Sequence, residues 1–206
     1  MTNGKQITKP RFDTYQLALM GILTAISSIL FLPAFEIPII AFYKLDFSNI
    51  PIMLGAFSMG PIHGVVMMLL KSLIGLTHSS SSGVGELADF LMGTAFILPA
   101  SLIYHKKKTL NTAIFGMIAG IATMVVVSVL ANKYIMIPFY MGAFQKDMSG
   151  ILESTKVAGV DSEWKLLTMV TAPFNLLKGA VLTLITFFIY KPLSPYMKRS
   201  FRGRKA

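Results

Sequence analysis

LNTAIFGMIAGIATMVVVSVLANK, residues 110–133, decides the class of fold. Its first 23 residues, 110–132, contain no charged side chain. An α-helix needs about 20 apolar residues to cross the hydrocarbon core of a bilayer. The whole chain has the same character, with 54% hydrophobic and 14% charged residues, against about 25% charged residues in a soluble domain. The sequence therefore predicts an integral membrane protein.

Further apolar runs lie on both sides of this segment, and prolines, glycines and polar residues separate them. We predict helices over about 14–35, 46–58, 61–77, 85–104, 110–133 and 164–190. The connection 134–163 carries mixed charge and has room for a short interfacial helix. The pattern predicts an all-α membrane protein, a compact bundle of six transmembrane helices. We expect a single transmembrane domain, with the helical bundle over about 14–192 and basic tails over 1–12 and 193–206.

The distribution of basic residues predicts the orientation of this bundle. Six spans place both termini on one side of the membrane, and 12 of the 19 Lys and Arg then fall on that side. Cytoplasmic loops of membrane proteins are enriched in Lys and Arg. We therefore expect both termini to be cytoplasmic in a multi-pass protein of the cell membrane.

Several classes of function are disfavoured by what the sequence lacks. It contains no Cys, hence no disulfide, thiol nucleophile or Cys-based metal site. No phosphate-binding Gly-x4-Gly-Lys-Ser/Thr loop is present, and the three His lack metal-ligand spacing. The net charge of +10 is explained by loops that flank membrane helices, so we expect no nucleic-acid partner.

Ionisable side chains within the apolar segments are costly and therefore informative. They are Lys71, Glu86, Asp89 and Lys178, and Asn175 shares a helix face with Lys178. We interpret Lys71 and Asp89 as a structural ion pair. Asn175 and Lys178 follow Pro173, which loosens a helix, and their amide and ammonium suit a carbonyl-bearing ligand. A second structural ion pair is the alternative for Lys178.

The loop between the first two helices combines charged and aromatic residues. Glu36, Tyr43, Lys44 and Phe47 lie here, and we interpret them as a lid with an aromatic ring that can stack on a planar ligand. Asp46 belongs to the same loop. Its carboxylate, taken alone, is explained by capping of the second helix.

Gly83 and Gly85 open the fourth helix. A glycine-rich helix start can bring backbone N–H groups close to a ligand. On this motif alone an ordinary turn is the simpler interpretation, because the spacing is not that of a dinucleotide-binding fingerprint.

Small residues recur on the first helix at Ala18, Gly21 and Ala25. Such a stripe lets a second helix approach closely. Packing inside this chain and packing against a partner protein explain the spacing equally well.

Four motifs together resemble the riboflavin-binding S components of energy-coupling factor (ECF) vitamin transporters. They are KLDFSNIP at 44–51, Gly60-Pro61 with Gly64, GVGELADF at 83–90 and PFNLLK at 173–178. The resemblance covers about residues 14–192. It implies a six-helix protein of the bacterial plasma membrane that captures riboflavin at its outer face as transported substrate, with no cofactor.

The resemblance also implies partners and site residues. The partners would be a transmembrane T component, met by Ala18, Gly21 and Ala25, and two cytoplasmic ATPases of the ABC type. Asn132, near the outer end of the fifth helix, is a candidate from the residues alone. The candidate ligand-binding residues are Glu36, Tyr43, Lys44, Asp46, Phe47, Gly83, Gly85, Glu86, Asn132, Asn175 and Lys178.

Two alternatives remain open at this point. One is an S component for another small vitamin or a nucleobase-like compound. The other is a membrane-embedded enzyme with Glu86 or Asp89 as general base, although such an enzyme needs a supporting second group that we do not find. A bound flavin, visible as a yellow colour of the purified protein, would distinguish these readings.

Overall fold

The computed structural model describes residues 14–40, 43–79, 81–144, 147–155 and 157–202. These residues are mostly helical. The first half contains α1 (Thr14–Leu30), β1 (Ile37–Ile40), β2 (Tyr43–Leu45), α2 (Asn49–Met59) and α3 (Pro61–Gly75). The second half contains α4 (Val84–Lys107), α5 (Leu110–Ala131), α6 (Ile137–Phe144), α7 (Met148–Thr155), α8 (Glu163–Lys165) and α9 (Ala172–Arg202).

Four stretches of helix within the described residues are long and apolar enough to cross a membrane. They are Pro61–His78, Val84–Lys107, Leu110–Gly142 and Glu163–Pro192. α1 and α2 are apolar but shorter. The predicted N-terminal tail, 1–12, lies outside the described residues, whereas the helix predicted to end near 190 continues to Arg202.

Two of the long stretches contain a π-helical segment. Residues Asn132–Met136 join α5 to α6, and Leu166–Thr171 join α8 to α9. The fifth helix is therefore longer than the predicted 110–133, and it takes up the first part of the connection 134–163. The rest of that connection includes α7, whose Ile151 is buried.

The segment 36–46, predicted as a loop within an all-α fold, contains a two-stranded antiparallel hairpin. Ile37 pairs with Leu45, Pro38 with Lys44 and Ile40 with Tyr43. Pro38 disfavours a helix here, and β-branched isoleucines favour extended backbone. The second helix begins at Asn49 and not near Asp46, because the Asp46 carboxylate accepts a hydrogen bond from the Ser48 backbone N–H (3.0 Å) and closes a turn before the helix.

α4 and α5 pack backbone to backbone at two glycines. Gly116 and Gly120 lie directly against the backbone of α4: an added Cβ would stand 2.5 Å from the Ala100 carbonyl oxygen and 2.3 Å from that of Phe96. A Cβ cannot be accommodated at such distances without moving a backbone. Glycine therefore fixes how closely the two helices approach each other.

Gly120→Ala should lower the thermal stability of the detergent-solubilised protein, because the added methyl group must push α5 away from α4. We expect a loss of about 1–3 kcal/mol, the usual cost of overpacking. Gly142→Ala is the matched control, since nothing lies within 4 Å of a Cβ there. Equal melting temperatures for the two variants would contradict the close approach.

Candidate ligand-binding site

A cavity of about 360 Å³ lies between the hairpin and the helices around it. Binding pockets for small molecules typically measure about 300–1,000 Å³. The cavity is lined by residues from the segment after α1, the hairpin, the start of α2, the turn before α4, α4, α5, the first π-helical segment, α6 and α9. The site therefore depends on segments from both halves of the chain.

One part of the lining is a network of buried charges. The Lys178 ammonium lies 2.7 Å from the Asp46 carboxylate and 3.9 Å from that of Asp89. Asp89 also lies 2.5 Å from the ammonium of Lys71. Two carboxylates and two ammoniums thus neutralise one another in a space that water reaches poorly.

Lys71 is fully buried and ties three segments together. Its ammonium donates to the Ser48 hydroxyl (2.9 Å) and to the Asn49 side-chain oxygen (2.8 Å) at the start of α2, and it forms the ion pair with Asp89 of α4. It also stands 4.6 Å from the centre of the Phe31 ring, a cation–π contact. The predicted structural pair between Lys71 and Asp89 is confirmed.

The environment of Asp46 keeps its carboxylate charged. Burial opposes ionisation, but the ammoniums of Lys178 and Lys71 and the hydrogen bonds from Lys178 and Ser48 outweigh it and lower the pKa of Asp46 to about 2. Because the pKa is lower in the folded protein, ionised Asp46 stabilises the fold at pH values above the ordinary carboxyl pKa of about 4. This contribution is lost as the pH falls toward 2 and the carboxylate becomes protonated. Asp46 is therefore ionised at neutral pH, and its ion pair with Lys178 is formed.

Tyr43 fastens the hairpin to both π-helical segments. Its hydroxyl lies 2.5 Å from the Thr171 hydroxyl and donates to the Asn132 side-chain oxygen at 3.5 Å. Its ring packs against Phe174 with the ring centres 5.1 Å apart. Burial raises the pKa of Tyr43 to about 12, so the hydroxyl stays protonated at physiological pH.

A serine-rich turn before α4 forms another part of the site. Ser79 donates to the Glu86 carboxylate at 2.8 Å, and Ser81 donates to it at 3.4 Å. The Ser79 and Ser81 hydroxyls also accept hydrogen bonds from the backbone N–H groups of Gly83 and Gly85, each at 2.9 Å. Gly83 has φ +89°, a left-handed conformation that glycine adopts without strain.

Nine of the eleven candidate ligand-binding residues line the cavity: Glu36, Tyr43, Lys44, Asp46, Gly85, Glu86, Asn132, Asn175 and Lys178. Phe47 does not. It lines a separate, wholly apolar groove with residues such as Leu23 and Ile185. Gly83 also lies outside the lining, and its N–H is bonded to Ser79.

Lys178 forms the ion pair that the sequence left as an alternative, and its ligand contact stays a prediction. It lines the cavity, and it is also a partner in the buried charge network. Asn175 is buried, and its side-chain N–H donates to the Thr171 carbonyl at 2.9 Å. Its amide orientation is therefore fixed by its own helix.

Sequence reasoning missed several lining residues, mostly apolar ones. They include Phe31, His78, Met92, Gly93, Met124, Met136, Tyr140 and Phe174. Met92 and Gly93 follow Gly85 and Asp89 at helical spacing and therefore share a face of α4 with them. The helical period could have predicted these two lining residues from the sequence. The contributions of Phe31 and Tyr140 depend on tertiary packing and leave no local signal.

The small-residue stripe on α1 faces away from the rest of the described chain. Ala18, Gly21 and Ala25 are all exposed, and nothing lies within 4 Å of a Cβ added at Gly21. Packing against the described residues therefore does not explain the stripe.

Comparison with known proteins gives a consistent result. A family model described as "ECF transporter, substrate-specific component" matches residues 15–190. The chain belongs to this family. The riboflavin transporter RibU of Staphylococcus aureus (strain TCH60) is 33% identical over 188 residues, which cover 89% of this chain and 93% of that protein. The riboflavin transporter FmnP of Bacillus subtilis (strain 168) is 26% identical over 190 residues, covering 89% and 94%.

A solved structure supports the same assignment. It is described as the S component of a bacterial ECF transporter, and it matches this chain with a TM-score of 0.71 at 27% identity, covering 89% of this chain and 98% of the other. The resemblance inferred from the motifs is thus confirmed. So are the multi-pass location in the cell membrane and the prediction of a transporter subunit instead of an enzyme.

Lys71→Met should destabilise this S component strongly, because it removes the nearest counter-charge of buried Asp89. We expect a loss of about 3–5 kcal/mol in the free energy of unfolding, the cost of breaking a buried ion pair from one side. The additional change Asp89→Asn should restore part of the lost stability, because it removes the unpaired charge.

Lys165→Met provides the control for removing an ammonium from this protein. Its ion pair with Asp161 (2.6 Å) is largely exposed, and exposed pairs contribute little. Unfolding in detergent, followed by intrinsic fluorescence, measures all three variants. If Lys71→Met proved as stable as Lys165→Met, the structural role of the network would be refuted.

Proposed function

We propose that this chain is the high-affinity substrate-binding subunit of an ATP-driven vitamin importer. It captures riboflavin at the extracellular side and delivers it through an ECF module. The observation that carries the proposal is the cavity of 360 Å³, lined by aromatic, methionine and fixed polar groups, in a chain related over most of its length to riboflavin transporters. Riboflavin is cargo in this proposal, and no cofactor is required.

The composition of the lining suits a flat, partly polar ligand. The isoalloxazine ring of riboflavin is planar and needs apolar and aromatic contacts, which Tyr43, Phe174 and Met92 offer. Its pyrimidine edge and ribityl hydroxyls need donors and acceptors at fixed positions. The Asn175 amide and the Lys178 ammonium provide donors, and the Glu86 carboxylate provides an acceptor.

We infer six membrane crossings with both termini in the cytoplasm. The four long apolar helices account for four of them, and α1 and α2 supply the remaining two. The excess of Lys and Arg in the terminal segments and between α4 and α5 supports this orientation. It places the hairpin and the mouth of the cavity on the outer side.

The energy for transport has to come from partners in this proposal. The sequence carries no phosphate-binding loop for ATP. A transmembrane T component and two ABC-type ATPases would supply it. The exposed stripe of Ala18, Gly21 and Ala25 is the proposed docking surface for the T component, because small side chains let a second helix pack against the backbone.

The purified protein should bind riboflavin with 1:1 stoichiometry, which quenching of flavin fluorescence measures directly. Lys178→Met should weaken binding by about 1–3 kcal/mol, the range for a lost hydrogen bond to a charged group. Lys165→Met, which removes an ammonium outside the cavity, should leave affinity unchanged. Tight binding of a different vitamin and none of riboflavin would redirect the proposal to another substrate.

Gly21→Trp should leave riboflavin binding intact and abolish ATP-driven uptake in cells that contain the module. The indole would stand on a surface that the described chain leaves open, so the cavity is undisturbed while close helix packing is blocked. Val126→Trp is the matched control, because Val126 is exposed on α5 instead of α1. Lost binding with intact complex assembly would show that the docking surface is misplaced.

A further inference from the structure

The carboxylates of the cavity are not evenly compensated. Four of them line it, and three have an ammonium within ion-pair distance. The three pairs are Glu36–Lys44 at 2.6 Å, Asp46–Lys178 at 2.7 Å and Asp89–Lys71 at 2.5 Å. The fourth carboxylate belongs to Glu86, which forms no ion pair with any described residue. Of the four carboxylates, Glu86 is therefore the one without a described ammonium as partner.

Glu86 is held in place by neutral groups. Glu86 is only 8% exposed. Its Oε2 atom accepts hydrogen bonds from the hydroxyls of Ser79 and Ser81. Among the described residues, no donor bonds to its other oxygen, Oε1. The side chain is therefore held in place by two hydroxyls, and it contributes to the cavity lining a carboxylate that no ammonium of the described residues neutralises.

We propose that Glu86 is a specificity-determining residue that selects for uncharged, hydroxyl-bearing ligands and against phosphorylated ones. This inference rests on the proposed function and refines its substrate class. A hydroxyl group can donate to Oε1 and satisfy it. A phosphate ester carries about −1.5 to −2 charges and only acceptor oxygens at its ionised positions, so it is repelled by Glu86 and finds no uncommitted ammonium in the lining.

Riboflavin and FMN form a matched pair of probes, since they differ only by the phosphate ester. Quenching of flavin fluorescence measures the dissociation constant of each flavin for the purified protein. The selectivity ratio is the dissociation constant of FMN divided by that of riboflavin. The wild type should bind FMN more weakly than riboflavin. Glu86→Gln should reduce that ratio by about tenfold, the size expected for one unit charge acting on a phosphate about 10 Å away in a partly hydrated site.

Two controls separate charge from shape. Glu86→Asp retains the negative charge and should keep the wild-type ratio within a few-fold. Ser79→Ala removes a hydrogen bond to Glu86 from a residue outside the cavity lining, and it should also keep the ratio, whatever happens to the absolute affinities. A ratio that changes as much in Ser79→Ala as in Glu86→Gln would assign the effect to the turn and overturn the proposal.

The remaining outcomes are also decisive. Equal affinity of the wild type for the two flavins, or an unchanged ratio in Glu86→Gln, refutes the role of Glu86 while riboflavin binding stands. A wild type that binds neither flavin refutes the proposed function itself. The first result needs no variant, so the inference stays testable even if Glu86→Gln fails to fold.

Discussion

The cost of placing charge in a membrane protein is the constraint on which this structure depends. Lys71 is fully buried and Asp89 nearly so, and each would be strongly unfavourable without the other. Because Lys71 also bonds to the start of α2, satisfying one ammonium fixes α2, α3 and α4 relative to one another. Lys178 extends the network to α9 and, through Asp46, to the segment that carries the hairpin. The neutrality of this network and the arrangement of the helices around the cavity are therefore determined by the same four side chains.

The network also explains why the cavity can be polar without being unstable. The charges of Lys71, Asp89, Lys178 and Asp46 are compensated within the protein, so the ligand does not have to supply a counter-ion for these four side chains. Tyr43 adds a neutral connection, because its hydroxyl contacts residues in both π-helical segments. The hairpin is thus attached to the bundle by an ion pair network at Asp46 and by hydrogen bonds at Tyr43. These two attachments define the wall that the hairpin contributes to the cavity.

The sequence predicted the membrane class, most helices and the Lys71–Asp89 pair, because long apolar runs and isolated charges are local signals. It also identified most of the polar lining, since ionisable residues stand out in apolar segments. The sequence does not predict the hairpin, because strands of four and three residues are too short to show a clear strand pattern, and one of them contains a proline. The partner of Lys178 could not be predicted, because Asp46 lies 132 positions away and only the fold brings them together. Phe47 belongs to the predicted lid as an aromatic residue of the same loop, yet it lines the apolar groove whereas its neighbour Asp46 lines the cavity.

The π-helical segments have a consequence for how the chain can change over evolutionary time. A π-helical turn holds one more residue than an α-helical turn, and each residue of an α-helix advances its side chain by about 100°. Deleting one residue from Leu166–Thr171 would therefore restore a regular α-helix. It would also rotate the residues after the deletion about the helix axis relative to the residues before it. Either Thr171, Asn175 and Lys178 would turn away from Tyr43 and Asp46, or Leu166 and Leu167 would leave the core. Insertions and deletions should consequently be poorly tolerated in these two turns, where residue count determines the direction in which the side chains of the cavity lining face.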